Sequence, residues 1–74
     1  MRLFMFKSEK NRELYAFSGD PGGHQLPPRH GPWTAVGVVR DDADPPYKMS
    51  REVIEKSIAD HGFQLYKKRI PAVG

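Results

Sequence analysis

Two histidines, an aspartate and an arginine share one stretch of glycines and prolines, Gly19-Asp20-Pro21-Gly22-Gly23-His24-Gln25-Leu26-Pro27-Pro28-Arg29-His30-Gly31-Pro32. A catalytic use of these residues would take a histidine as base and Arg29 as an anion clamp. No residue stands out as a nucleophile paired with either histidine, so the stretch reads first as an Ω-like surface loop ordered by its prolines. It fails as a phosphate loop, because no Gly-Lys-Ser/Thr ending is present and a strand follows in place of a helix N-terminus. Gly19-Asp20-Pro21-Gly22 spells GXXG, yet a KH clamp lies between helices and this tetrad follows a strand. Metal binding by Asp20, His24 and His30 lacks a zinc spacing, and with no cysteine in the chain no thiolate can complete a set. Asp41-Asp42-Ala43-Asp44 lacks the glycine and closing glutamate of a calcium loop and reads as a solvated acidic turn. The expectation is therefore no catalytic residue, no metal and no cofactor.

A second constellation lies near the C-terminus, where Tyr66-Lys67-Lys68-Arg69 sets an aromatic ring beside three cations. Rings on a sheet with basic edges are the physical plan of single-strand nucleic-acid binders, which stack bases and neutralise phosphates. The aromatic-rich signature of an RRM is missing from Gly62-Phe63-Gln64-Leu65-Tyr66. The plainer reading is that the three cations protect an edge strand from aggregation. Single-stranded nucleic acid stays the alternative partner.

Charge supports an anionic partner only mildly. The net +3 divides into +2 over residues 1–19, −2 over 20–46 and +3 over 47–74, with no block of five like charges. Seventy-four residues make one domain, and a chain this short buries only about 60% of its unfolded surface. Zero cysteines remove disulfides from its stabilisation and suit a reducing cytoplasm. No apolar stretch approaches the roughly 18 residues of a membrane span, and the opening residues do not resemble a signal peptide.

The elements that must position these groups follow from periodicity. Arg2–Lys7 reads as a strand apolar on both faces and hence central. Glu13–Ser18 alternates Leu14 and Ala16 against Tyr15 and Phe17, and Trp33–Arg40 forms a third strand with Val36, Val38 and Thr34 on one face. Ser50 caps a helix, with Met49 and Ile54 as a hydrophobic staple. Val53, Ile54, Ser57, Ile58 and His61 form its apolar stripe, and Glu52 pairs with Lys56. Gly62 ends the helix, with Phe63 folding back on Ile58. Phe63–Lys68 is the fourth strand. The expected fold is a two-layer α+β sandwich, β-β-β-α-β, with a four-stranded, mostly antiparallel sheet in the order 4-1-2-3 and one helix on one face. Strand four is expected parallel to strand three. Residues 1–69 form the domain and 70–74 a frayed tail.

One helix covers one sheet face, yet both faces carry large apolar side chains. The second face then needs a partner protein, a second copy of this chain, or the Gly19–Pro32 loop itself. The favoured function is a small binding domain that uses the sheet face and this loop. Leu26, Arg29, His30 and Trp33 are its candidate contacts, since loops on rigid scaffolds carry recognition and Trp and Arg are frequent hot spots.

The segments Glu13-Leu14-Tyr15-Ala16-Phe17, Leu26-Pro27-Pro28 with Gly31-Pro32-Trp33, and Ile58-Ala59-Asp60-His61-Gly62-Phe63-Gln64-Leu65 resemble small bacterial proteins of the conserved-hypothetical type. The resemblance spans about residues 13–65. It implies a small bacterial single-domain protein and brings no activity, ligand or site residue.

Overall fold

The computed structural model describes residues 2–46 and 49–67. In chain order the elements are β1 (Leu3–Ser8), β2 (Leu14–Ser18), a 3-10 turn (Pro28–His30), β3 (Trp33–Val39), α1 (Arg51–His61) and β4 (Phe63–Lys67). This is the expected α+β class, with strands one and two inside the sheet and strands three and four outside. The observed order is β3-β1-β2-β4, and every pairing is antiparallel. Relative to the order 4-1-2-3, the partners of the outer strands are exchanged, so β3 lies beside β1 and β4 beside β2. The parallel relation expected between strands three and four is absent, because β3 runs antiparallel to β1.

The Gly/Pro loop is the reason. β2 and β3 both run antiparallel to β1, so the connection between them must travel back along the strands. It does so across the sheet face opposite the helix. Leu26 is its anchor, only 5% exposed and packed with Phe6 and Ala16, with Phe4, Trp33, Phe63 and Leu65 around them. The loop thus supplies the second layer. Gly23 makes the approach possible: its φ is +65°, and a Cβ there would lie 2.9 Å from a Leu26 methyl and 3.0 Å from the Phe6 ring.

The helix covers the other face, where Leu3, Phe17, Val39 and Ile54 form the buried cluster. It leaves the sheet edge at β3 and returns to the opposite edge at β4. Its 11 residues span about 16 Å, which matches the roughly 14 Å across three strand spacings. Both ends behave as expected. Ser50 Oγ accepts from the Val53 N–H at 3.4 Å, and Gly62 adopts φ 91° with its N–H on the Ile58 carbonyl at 2.7 Å. Met49 and Ile54 belong to one cluster, as a staple requires.

Several details differ from the sequence expectation. Val53 is 60% exposed and His61 is exposed, because a helix laid across a sheet buries a narrow line through Ile54 and Ile58. Phe63 packs in the loop-side cluster and not on Ile58, since β4 begins there and its alternation turns the ring to the other face. Among the described residues the helix pairs Arg51 with Glu55 at 3.2 Å and Lys56 with Asp60 at 3.4 Å, so Lys56 reaches forward to Asp60 in place of the expected Glu52. A bulge in β3 changes its faces: Met5 opposes Gly37 and Phe6 opposes Ala35, leaving Val36 as the extra residue. Trp33 and Ala35 therefore join Val38 on the loop side, while Thr34 moves to the helix side.

Two buried serines tie the loop down. Ser18 Oγ donates to the Asp20 carbonyl at 3.1 Å and accepts from the Asp20 N–H at 3.0 Å. Ser8 Oγ donates to the His30 carbonyl at 2.5 Å and accepts from the N–H groups of Lys10 and Asn11 at 3.1 and 3.0 Å. Ser8→Ala strips three polar groups of one partner, and Ser8 is 1% exposed. Urea unfolding is expected to show a loss of about 1–3 kcal/mol; a change within about 0.5 kcal/mol, the range of ordinary surface substitutions, would refute this role for the hydroxyl.

Candidate functional site

The four loop residues singled out above divide between core and surface. Leu26 is core. Trp33 is partly buried, and its Nε1 donates to the Pro27 carbonyl at 2.9 Å, so it fastens the loop to the start of β3. Arg29 is exposed on the 3-10 turn, and His30 beside it is half-buried. The two loop histidines do not converge. His30 lies by the β1–β2 turn through Ser8, whereas His24 sits in the turn that follows β2.

There the Asp20 carboxylate accepts from the N–H of His24 at 3.0 Å, the N–H of Gly22 at 3.1 Å and the His24 ring at 2.6 Å. These bonds, the His24 N–H foremost, hold the Asp20 pKa below the ordinary aspartate value. The carboxylate is a turn former. Because its folded pKa lies below the unfolded one, its contribution is complete above pH about 3.9 and is lost as pH falls through the folded value. A carboxyl NMR titration is expected to place the Asp20 midpoint below that of a free aspartate. A midpoint at or above the free value would contradict the turn geometry.

The second constellation gains neighbours. Tyr66 stands between two rings, Phe17 at 4.7 Å and Tyr15 at 5.5 Å between centroids, with interplanar angles of 25° and 26°. The ladder runs from fully buried Phe17 outward to half-buried Tyr15. Tyr15 also lies in a cross-strand row, Thr34–Lys7–Tyr15–Tyr66. That row is about 13 Å along the strands from the Leu3–Val39 row that the helix covers. Tyr15 belongs to neither core cluster.

Basic residues gather at this end of the sheet. Lys7 is in the row, Lys10 and Arg12 lie in the β1–β2 turn, and Lys67 closes β4 opposite Leu14. Of the acidic residues here, Glu9 accepts from the Thr34 hydroxyl and Glu13 is exposed. Asp20, Asp41, Asp42 and Asp44 follow the far ends of β2 and β3. Arg51 fixes the acidic turn there, donating to the carbonyls of Arg40 and Ala43 at 2.6 Å each. Lys7 and Lys67 are not on adjacent strands: β2 intervenes, with Tyr15 beside Lys7 and Leu14 beside Lys67. Lys68 and Arg69 lie outside the described residues.

Two grooves flank β4. One, of about 510 Å³, lies between the helix C-terminus and the loop and is lined in part by Asp20, Gln25, Asp60 and His61. The other, of about 520 Å³, is formed by Asn11, Leu14, His30, Leu65, Tyr66 and Lys67. His30, Tyr66 and Lys67 thus meet at one surface, although the sequence assigned them to separate sites. Among the described residues no cluster of three His, Cys, Asp or Glu side chains could hold a metal ion, and no helix is long and apolar enough to cross a membrane. No protein-family model, curated protein or solved structure matches the chain.

Tyr15 and Asn11 were not singled out from the sequence as candidate contacts. Tyr15 alternates within a strand as any core residue does. Only the pairing of β2 with β4 sets it on Tyr66.

Proposed function

We propose that this is a small binding domain whose ligand is single-stranded nucleic acid, held at the basic end of the sheet. The observation that carries the reading is the cross-strand row in which half-buried Tyr15, the outer ring of a three-ring ladder, lies next to Lys7. Stacking on an aromatic ring suits every base, and nearby cations neutralise the backbone, which is the physical requirement for binding a single strand. Lys10 and Arg12 in the adjoining turn extend the positive surface, and Lys67 adds a cation on the other face of the β4 edge. The acidic turn, about a strand length away, would leave the ligand attracted to one end only.

The reading that uses the sheet face and the Gly19–Pro32 loop has less support, because Leu26 occupies that face. The deciding experiment is a titration of a dye-labelled single-stranded octanucleotide by fluorescence anisotropy at 20 mM and 150 mM salt. The expected result is saturable binding that weakens steeply with salt. No binding at 20 mM salt would end the proposal.

A further inference from the structure

The groove on the loop side of β4 has a chemistry of its own. Its floor is apolar, made by Leu14, which is 5% exposed, and half-buried Leu65. Its rim is polar and, among the described residues, carries no carboxylate. His30 is held there by the bond from Ser8 Oγ to its carbonyl. Lys67 adds a cation. Asn11 Oδ1 is engaged by the Glu13 N–H at 3.1 Å, which directs the amide nitrogen, a donor of two hydrogens, away from that bond. The groove is within the size range of small-molecule sites. The other groove, lined by Asp20 and Asp60, would repel phosphate.

We propose that this groove takes one base of the bound strand, a pyrimidine that presents carbonyl oxygens, such as thymine or uracil. The proposal rests on the nucleic-acid reading above. Tyr66 belongs to both surfaces, so a strand leaving Tyr15 over the β4 edge meets the groove and Lys67 next. The basic rim matches the phosphate that must accompany the base. The Asn11 amide can donate to a pyrimidine carbonyl, and the leucine floor fits a flat, weakly polar ring and the thymine methyl. The imidazole of His30 offers a ring for stacking. Adenine is best read by an asparagine that both donates to a ring nitrogen and accepts from the amino group; with Asn11 Oδ1 engaged by the Glu13 N–H, that pair is broken and adenine is the poorer occupant. The domain then has a base preference and not only an affinity for single strands.

The test compares octathymidylate and octadeoxyadenylate on the full chain at 20 mM salt by anisotropy, with the wild type and Asn11→Asp. Asn11→Asp keeps the oxygen that accepts from the Glu13 N–H and removes the two donors. Its far-UV and near-UV spectra check that the turn is intact. The expected result is about a tenfold preference for octathymidylate in the wild type, falling to near one in Asn11→Asp while both oligonucleotides still bind. Equal wild-type affinities, or a preference that survives Asn11→Asp, overturn the groove assignment alone. Binding of neither oligonucleotide overturns the nucleic-acid reading and the groove assignment with it.

Discussion

Leu26→Ala is expected to destabilise the domain by about 2–5 kcal/mol, the cost of truncating a buried leucine and leaving a cavity. Leu26 is the one buried side chain among residues 19–32, and it forms with Phe6 and Ala16 the cluster against which Phe4, Trp33, Phe63 and Leu65 pack. Its removal costs more than its own contacts, since the loop is the whole second layer on that face. A domain of 74 residues has a total stability of roughly 4–11 kcal/mol. The substitution therefore removes a large share and lowers the melting midpoint by about 8 °C or more, at roughly 4–8 °C per kcal/mol. Val53→Ala, at a position 60% exposed, is the control and should stay within about 0.5 kcal/mol. Urea unfolding of both variants decides it: equal midpoints would mean that the loop is not a structural layer. The wild-type midpoint should also be independent of protein concentration, because a layer supplied within the chain adds no mass-action term.

The parts of this fold that could be read from the sequence are those set by neighbours in the chain. Ser50 and Gly62 marked the helix ends because capping is local chemistry. The alternation of Leu3, Met5, Tyr15 and Phe17 against Phe4, Phe6, Leu14 and Ala16 gave the faces of β1 and β2, and the register agrees. What escaped depends on distant partners. The bulge at Val36 carries no residue signature in a run of alanine, valines and glycine, so the faces of Trp33 and Thr34 were interchanged. The return of the loop along the strands follows from Leu26 docking on Phe6 and Ala16, which a turn-rich composition does not reveal. That return exchanged the neighbours of the outer strands. The candidate site shows the same division: Tyr66 and Lys67 stood out as an aromatic beside charges, whereas Tyr15 became visible only once β4 was paired with β2.

Tyr15→Leu is expected to weaken single-strand binding about 5- to 150-fold, the equivalent of the 1–3 kcal/mol that one base stacked on a ring contributes. Leucine keeps apolar area beside Tyr66 and maintains the strand, but it has no flat face for a base. Tyr15→Phe keeps the ring, and its affinity should stay within about twofold of the wild type by the same stacking argument. Lys7→Ala tests the other half of the row. If Lys7 neutralises one phosphate, the slope of log K against log salt becomes shallower by about 0.7, the value for a single strand. The two effects are separable, because stacking acts at every salt concentration whereas the lysine acts through released counterions. Anisotropy titrations of the three variants between 20 and 200 mM salt measure both. A Tyr15→Leu affinity equal to that of the wild type, together with an unchanged slope in Lys7→Ala, would remove the row from the binding surface. A loss confined to Lys7→Ala would leave an electrostatic surface without base stacking. Retention by Tyr15→Phe and loss by Tyr15→Leu, with an unchanged unfolding midpoint in Tyr15→Leu to show that the lost Tyr15–Tyr66 stack leaves the sheet intact, is the pattern a stacked base predicts.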